Sequence, residues 1–183
     1  MTKVQLKKLK RILYIVSAVL GVVSLIMMIG VSIVPDEITN VKQKIDAGFY
    51  GYDIVFGIKD GELAGLKFSF LALLPYIFAL AAVVLLVFRI LDKYLSKKFD
   101  FLIASLFLVS SLLFFLSGNF VVYSANLVGE LFKSFDYKLS YGLIVSGVCS
   151  LISMCCVVAS FVSGEMIKVS EDNLEKNEDI DKK

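Results

Sequence analysis

Tyr50-Gly-Tyr-Asp-Ile-Val-Phe-Gly-Ile-Lys-Asp-Gly-Glu-Leu-Ala-Gly-Leu-Lys-Phe-Ser-Phe70 lies between two long apolar runs and is the part of the chain that reads as β-structure. Tyr50, Tyr52, Ile54, Phe56 and Ile58 alternate with Gly51, Asp53, Val55, Gly57 and Lys59, the period-2 pattern of a half-buried strand. Asp60-Gly61 supplies a two-residue turn, because both residue types tolerate positive φ. A glycine bulge at Ala64-Gly65 shifts the register by one, so that Phe56 meets Leu66, Ile54 meets Phe68 and Tyr52 meets Phe70. The expectation is a bulged hairpin with one apolar, aromatic face.

Charge-free segments stand on both sides of this stretch. Hydrophobic residues make up 58% of the 183 residues, and the mean hydropathy of +0.82 is too apolar for a soluble chain of this length. The layout predicts an all-α four-helix membrane bundle with a small extracellular β-hairpin or β-sheet cap. A basic amino terminus (1–11) leads into a first span (12–34) and then an outer loop with the hairpin (35–68). A second span (69–91), a short inner turn (92–100) and a third span (101–123) follow. A second outer loop (124–140), a fourth span (141–163) and an acidic tail (164–183) complete the chain, the tail beginning as a helix extension that frays. Residues 12–34 contain no charge and, at about 1.5 Å per residue, cross a hydrocarbon core of about 30 Å with some tilt. A signal peptide would have a shorter apolar run and a small-residue cleavage site, so this reads as a retained span. Pro75 falls in the opening turns of the second span, where proline is tolerated or kinks the helix.

Orientation follows from the basic residues near the span ends. Lys3, Lys7, Lys8, Lys10 and Arg11 crowd the amino terminus, and Arg89, Lys93, Lys97 and Lys98 crowd the turn after the second span. Both loops assigned to the outside are sparser in Lys and Arg. Both termini are therefore expected in the cytoplasm of a multi-pass protein of the plasma membrane. With no Trp in the chain, Tyr14 and Tyr94 mark the inner interface and Tyr123 and Tyr141 the outer one.

Lipid gives no hydrophobic drive between helices, so close approach relies on small residues. Gly142, Ser146, Ser150, Ser153, Ser160 and Gly164 form such a seam on the fourth span, and Ser17, Gly21 and Ser24 form one on the first. These seams are expected to face other spans, including each other, in a left-handed bundle. Cys149, Cys155 and Cys156 share one apolar run without metal or redox spacing and read as small hydrophobes.

Several function classes lose support. The chain has no His, removing the commonest general base and metal ligand. Proton-coupled carriers and voltage sensors need ionisable groups at depth, and the spans carry none, with Arg89 at an end. No base accompanies Ser or Cys inside the bundle, so no enzyme is expected. Asp36, Glu37, Asp46, Asp53, Asp60 and Glu62 match no cation-binding loop and read as a solvated acidic rim. No cofactor, metal or nucleic acid is called for.

Four spans, a larger first outer loop rich in strand signals, a short inner turn and a smaller second outer loop resemble the claudin-like tetraspan architecture. The strand feeding the second span, Leu66 to Phe70, is part of that likeness, whereas the claudin loop signature of Trp and a Cys pair is absent. Gly51-Tyr-Asp-Ile-Val-Phe-Gly57 and Lys67-Phe-Ser-Phe-Leu-Ala-Leu-Leu-Pro75 resemble segments of uncharacterised four-span membrane proteins of bacteria. The first resemblance implies a layout only, and the second implies no activity.

The resulting expectation is a non-enzymatic membrane scaffold or accessory subunit. Its partners are the lipid bilayer and a protein partner or second copy. The interaction surface is assigned to Phe49, Tyr50, Tyr52 and Phe56, because exposed aromatic patches mark contacts. Two alternatives stand beside it. One is an oligomeric small channel or transporter component using the serine seam. The other is a lipid- or envelope-handling factor with a lateral cleft lined by Phe78, Phe107 and Phe114.

Overall fold

The computed structural model describes residues 3–35, 49–57, 66–91, 98–123 and 137–181. Its frame is four long helices, α1 (Lys3–Ile26), α3 (Phe70–Leu91), α4 (Lys98–Leu116) and α5 (Tyr141–Asp181), with one short helix, α2 (Gly51–Phe56), between the first two. Among the described residues, four helices are long and apolar enough to cross a membrane: Val4–Ile29, Phe70–Leu91, Lys98–Phe120 and Tyr141–Met166. They pack in a ring, α1 on α5, α5 on α4, α4 on α3, and α3 back on α1.

The first span differs from the expected 12–34. Lys, Leu, Gln and Arg are strong helix formers, and nothing in the basic stretch stops a helix, so α1 already begins at Lys3. Lys7, Lys8, Lys10 and Arg11 therefore ride on its first turns. At the other end the α-helix stops at Ile26, tightens into a 3₁₀ turn over Met27–Ile29, and meets Gly30 in extended conformation. The β-branched run that follows forms strand β1 (Val31–Pro35) instead of a last helical turn. The third span shows the same thing. A 3₁₀ turn over Ser117–Phe120 and a strand, β4 (Val122–Tyr123), replace the expected helical end of 101–123.

The hairpin expectation is overturned. Only Phe49–Tyr50 is extended (β2), and Gly51–Phe56 is helical. Two local signals decide this. The Asp53 carboxylate, three residues past Tyr50, accepts the Tyr50 N–H at 3.0 Å, one half of a capping box. Gly57 takes φ 81° beyond the last turn and donates its N–H to the Asp53 carbonyl at 2.8 Å. Tyr52 and Phe56 lie on one side in both a strand and a helix, so the alternation does not discriminate between them. Ile54 does. At about 100° per residue it turns away from Tyr52 and Phe56 into the core, where it is 2% exposed. The Asp60-Gly61 turn and the Ala64-Gly65 bulge lie outside the described residues.

Leu66–Lys67 (β3) does pair, but with β4 and not with the preceding stretch: Leu66 faces Tyr123 and Lys67 faces Val122. A second, three-stranded antiparallel sheet has the order β2-β1-β5, with β5 at Tyr137–Leu139. Ile33 pairs with Phe49 on one edge and Leu139 on the other. Each sheet thus ties chain from the first long connection to chain from the second. Ser69 clamps the same region. Its N–H donates to the Val55 carbonyl at 3.0 Å, its hydroxyl donates to the Phe120 carbonyl at 2.6 Å, and it accepts the Ala72 N–H at 3.3 Å as a cap for α3.

The core has two layers. Near the sheets, Ile33, Ile54, Val55, Ala72, Tyr76, Phe114 and Leu143 close together, with the Tyr76 ring edge-on to Phe114 at 4.8 Å and 83°. Deeper in the bundle, Tyr14, Val83, Leu86, Ile103, Phe107 and Val157 form the second layer. In lipid such packing gains dispersion contacts, because the apolar surface is not being removed from water. The expected fraying of the tail is not seen in the backbone, since α5 continues as one helix to Asp181.

Candidate functional site

The aromatic residues assigned to an interaction surface divide in two. Phe49 is half-buried and packs on the core layer next to the sheets. Tyr50, Tyr52 and Phe56 point outward with 39%, 43% and 60% of their surface exposed. Tyr50 and Tyr52 are stacked, their centroids 5.4 Å apart and their planes 5° from parallel. Partial desolvation, then the adjacent Asp53 carboxylate, raises the Tyr52 phenol above its usual range. Asp53 is not part of a solvated acidic rim as expected: it is buried and committed to the α2 cap. Asp36, Glu37, Asp46, Asp60 and Glu62 lie outside the described residues. α2 itself is held down through Gly51, where an added Cβ would stand 2.6 Å from the Tyr76 hydroxyl and 2.8 Å from the Met28 carbonyl.

The serines assigned to seams are brought together along α1 and α5. Ser17 and Ser153 donate to each other's backbone carbonyls at 3.0 and 3.1 Å. Seven residues further on, Ser24 and Ser146 do the same at 3.0 and 2.9 Å. Seven residues the other way, Ser160 donates to the Lys10 carbonyl at 3.3 Å. A seven-residue step keeps one seam facing its partner only with left-handed coiling. Ser150 joins through a 2.9 Å hydroxyl–hydroxyl contact with Ser24. Gly21 turns instead toward α3 and α4, where a Cβ would meet Val83 at 2.6 Å and Phe107 at 3.0 Å. Gly142 receives β1, and Ser32 lies within 2.8 Å of where its Cβ would be. Ser111 donates to the Gly147 carbonyl and Ser110 to the Pro75 carbonyl, both at 2.8 Å, extending the same device to α4–α5 and α3–α4.

These bonds make different energetic signatures. Side-chain hydrogen bonds between membrane helices average about 0.6 kcal/mol. Ser17→Ala and Ser153→Ala should each cost about that much and add, because each hydroxyl bonds to backbone that survives the other substitution. Ser24→Ala and Ser150→Ala should be non-additive, since they share one hydroxyl–hydroxyl bond. Two double-mutant cycles on reversible unfolding in mixed micelles check this, and equal coupling in both pairs would contradict the assignment.

Sequence reasoning missed the polar node at the opposite end of the bundle. Asp100, read as the last residue of the short inner turn, is in the first turn of α4 with its side chain 1% exposed. Arg89 in the last turn of α3 grips it in a fork, Nε to Oδ1 at 2.9 Å and Nη2 to Oδ2 at 3.1 Å. Tyr14 of α1, read as an interface marker, donates its hydroxyl to the same Oδ1 at 2.9 Å. Three helices therefore meet on one carboxylate. The available signal was an acid at a helix start just after an Arg at a helix end, each favourable to its own dipole. Beside the node a cavity of about 420 Å³ is lined by Lys7, Lys10, Arg11, Tyr14, Arg89 and Ile90. The Lys10 ammonium lies 5.8 Å from the Tyr14 ring centroid, within cation–π range.

The remaining assignments are simply placed. Phe107 and Phe114 are fully buried, so these two rings do not line a lateral cleft, and Phe78 is half-buried. Cys149, Cys155 and Cys156 are free thiols, the first buried and the second exposed. Comparison of the chain with protein-family models, curated proteins and solved structures gives no match. What the fold itself defines is a class: the four helices have the length and composition of a multi-pass membrane protein.

Proposed function

We propose that the protein is a non-enzymatic membrane scaffold or accessory subunit, with the bundle as anchor and the sheet end as the part presented to a protein or envelope partner. On this reading it resides in a bacterial plasma membrane with both termini in the cytoplasm, as the basic residues of α1 favour, and the sheets form an extracellular cap. The observation that carries it is the outward-facing set of Tyr50, at the cap of a short helix, and Tyr52 and Phe56 on that helix, which is fixed at both ends. Large apolar rings held rigidly in water cost little further entropy on docking, which is why aromatic residues dominate interface energetics. The buried serine hydroxyls support an anchoring bundle, being engaged with carbonyls of neighbouring helices.

A photoreactive amino acid at Tyr52 or Phe56 tests the reading in intact cells. The expected result is a covalent adduct heavier than the monomer, with the attached partner accessible to a membrane-impermeant label. The same residue at Val16, which faces outward from the middle of α1, should give no such protein adduct. Illumination that yields only unmodified monomer at both cap positions would sink the proposal.

A further inference from the structure

The short helix α2 is inverted relative to a helix that stands wholly in water. Asp53, its one charged residue, is turned inward and 9% exposed, while Phe56 is turned outward and 60% exposed. Water favours the opposite arrangement, with the carboxylate out and the ring in. The inversion continues around it: Ser32 and Ser69 are buried, whereas Ile29, Val34, Phe68 and Phe70 are exposed. A surface of this kind suits hydrocarbon, which accepts apolar side chains and penalises charge.

The height of α2 along the bundle agrees. Gly51 donates its N–H to the Gly30 carbonyl at 3.3 Å, and a Cβ added to it would lie 3.0 Å from the Met28 Cα. From Ile12, where the charge-free run of α1 begins, to Met28 is about 24 Å at about 1.5 Å per residue. The other end of α2 is set by the Val55 carbonyl, which accepts the Ser69 N–H at 3.0 Å. From Arg89 back to Ser69 is about 30 Å on the same measure. A hydrocarbon core is about 30 Å thick, so α2 occupies its rim at the sheet end. Lys67 and Lys138 stand beyond that level in the sheets, paired with Val122 and Val34. Aromatic side chains concentrate at this depth, where one edge of a ring is dry and the other wet. Fluid lipid gives such rings an environment but no shape to fit. Tyr50 and Tyr52 are stacked at 5.4 Å on a capped helix, a flat and fixed surface. It packs best against another fixed shape, because association within a bilayer rests on van der Waals contact. We infer that the partner docking on Tyr50, Tyr52 and Phe56 is an integral membrane protein that meets them with a transmembrane segment at the bilayer rim, an inference that rests on the docking role proposed for these rings.

The chain has no Trp, so Tyr52→Trp and Phe56→Trp each place a single fluorophore at the site. In phosphatidylcholine bilayers each full-length variant should lose most of its fluorescence when the lipid chains are brominated, and little when iodide is added to the water. Strong quenching by iodide with little by brominated lipid overturns the inferred depth and leaves the docking role standing with a soluble partner. The occupant itself is read in intact cells from a photoreactive amino acid at Tyr52. The crosslinked peptide should map to a charge-free span of another membrane protein. A peptide from a soluble domain overturns the transmembrane partner alone. Lipid adducts without protein, or unmodified monomer, overturn it together with the docking role.

Discussion

Asp100→Asn is expected to destabilise the bundle by about 3–5 kcal/mol, the usual cost of removing one member of a buried ion pair. The carboxylate accepts from Arg89 through both oxygens and from Tyr14 through one, with side-chain exposures of 1% for Asp100 and 9% for Arg89. The amide that replaces it matches the carboxylate in shape and leaves the guanidinium's charge without its counterion. Cost of that kind comes chiefly from the stranded cation and not from the lost bonds. Arg89→Met combined with Asp100→Leu should therefore recover most of the loss, because no charge is then buried. Reversible unfolding in mixed micelles measures both. If Asp100→Asn falls within about 1 kcal/mol of wild type, in the range of exposed pairs, the node is solvated and its assigned role is wrong.

Gly142→Val should be nearly as severe and should act at the other end. A Cβ there would stand 2.8 Å from the Ser32 hydroxyl, 2.8 Å from the Val31 carbonyl and 3.0 Å from the Gly30 carbonyl. Two of these contacts are backbone, so no rotamer change relieves them. β1 would have to lift away from α5, carrying its pairings to Phe49 and Leu139 with it. Overpacking of this kind costs about 1–3 kcal/mol and more where backbone must move. The expected signature is local: protease sensitivity rises in the segments joined by the sheets while α1 and α5 stay associated. Gly118→Ala is the control, because its added Cβ would meet only the end of the Leu139 side chain, at 3.4 Å. Comparable damage from both substitutions would remove the case for close docking at Gly142.

The four spans were legible because hydrocarbon imposes one simple demand, a long run of apolar residues whose backbone satisfies itself. The ends of those runs were not. Val31 to Pro35 is as apolar as the helix before it, and only Gly30 and the β-branched residues betray the change to strand. In α2 the period-2 and helical patterns coincide at Tyr52 and Phe56, so the decision fell to Asp53 and Gly57, whose roles are local hydrogen bonds and backbone conformation. The partner of Leu66–Lys67 was illegible for another reason. It is fixed by β4, far along the chain, and strand pairing across a bundle leaves no periodic trace in either segment. Serine spacing on α1 and α5 did point to a seam, but the facing direction of Gly21 depended on the third dimension. The carboxylate node escaped because each of its members looks ordinary alone: a tyrosine near an interface, an arginine after a span, an aspartate in a turn.

The seven-residue ladder of serines joins the first long helix to the last, with Ser17 and Ser153 separated by 136 positions in sequence. A ribosome feeding this chain into a bilayer therefore releases α1 long before the helix that it fits has been made. In the interval the hydroxyls of Ser17 and Ser24 must fall back on carbonyls of their own turn, as serines in helices do. Entry of α5 is then an exchange of those provisional bonds for shared ones. A chain cut short before Tyr141 would leave α1 inserted but loosely held, a natural substrate for membrane quality control.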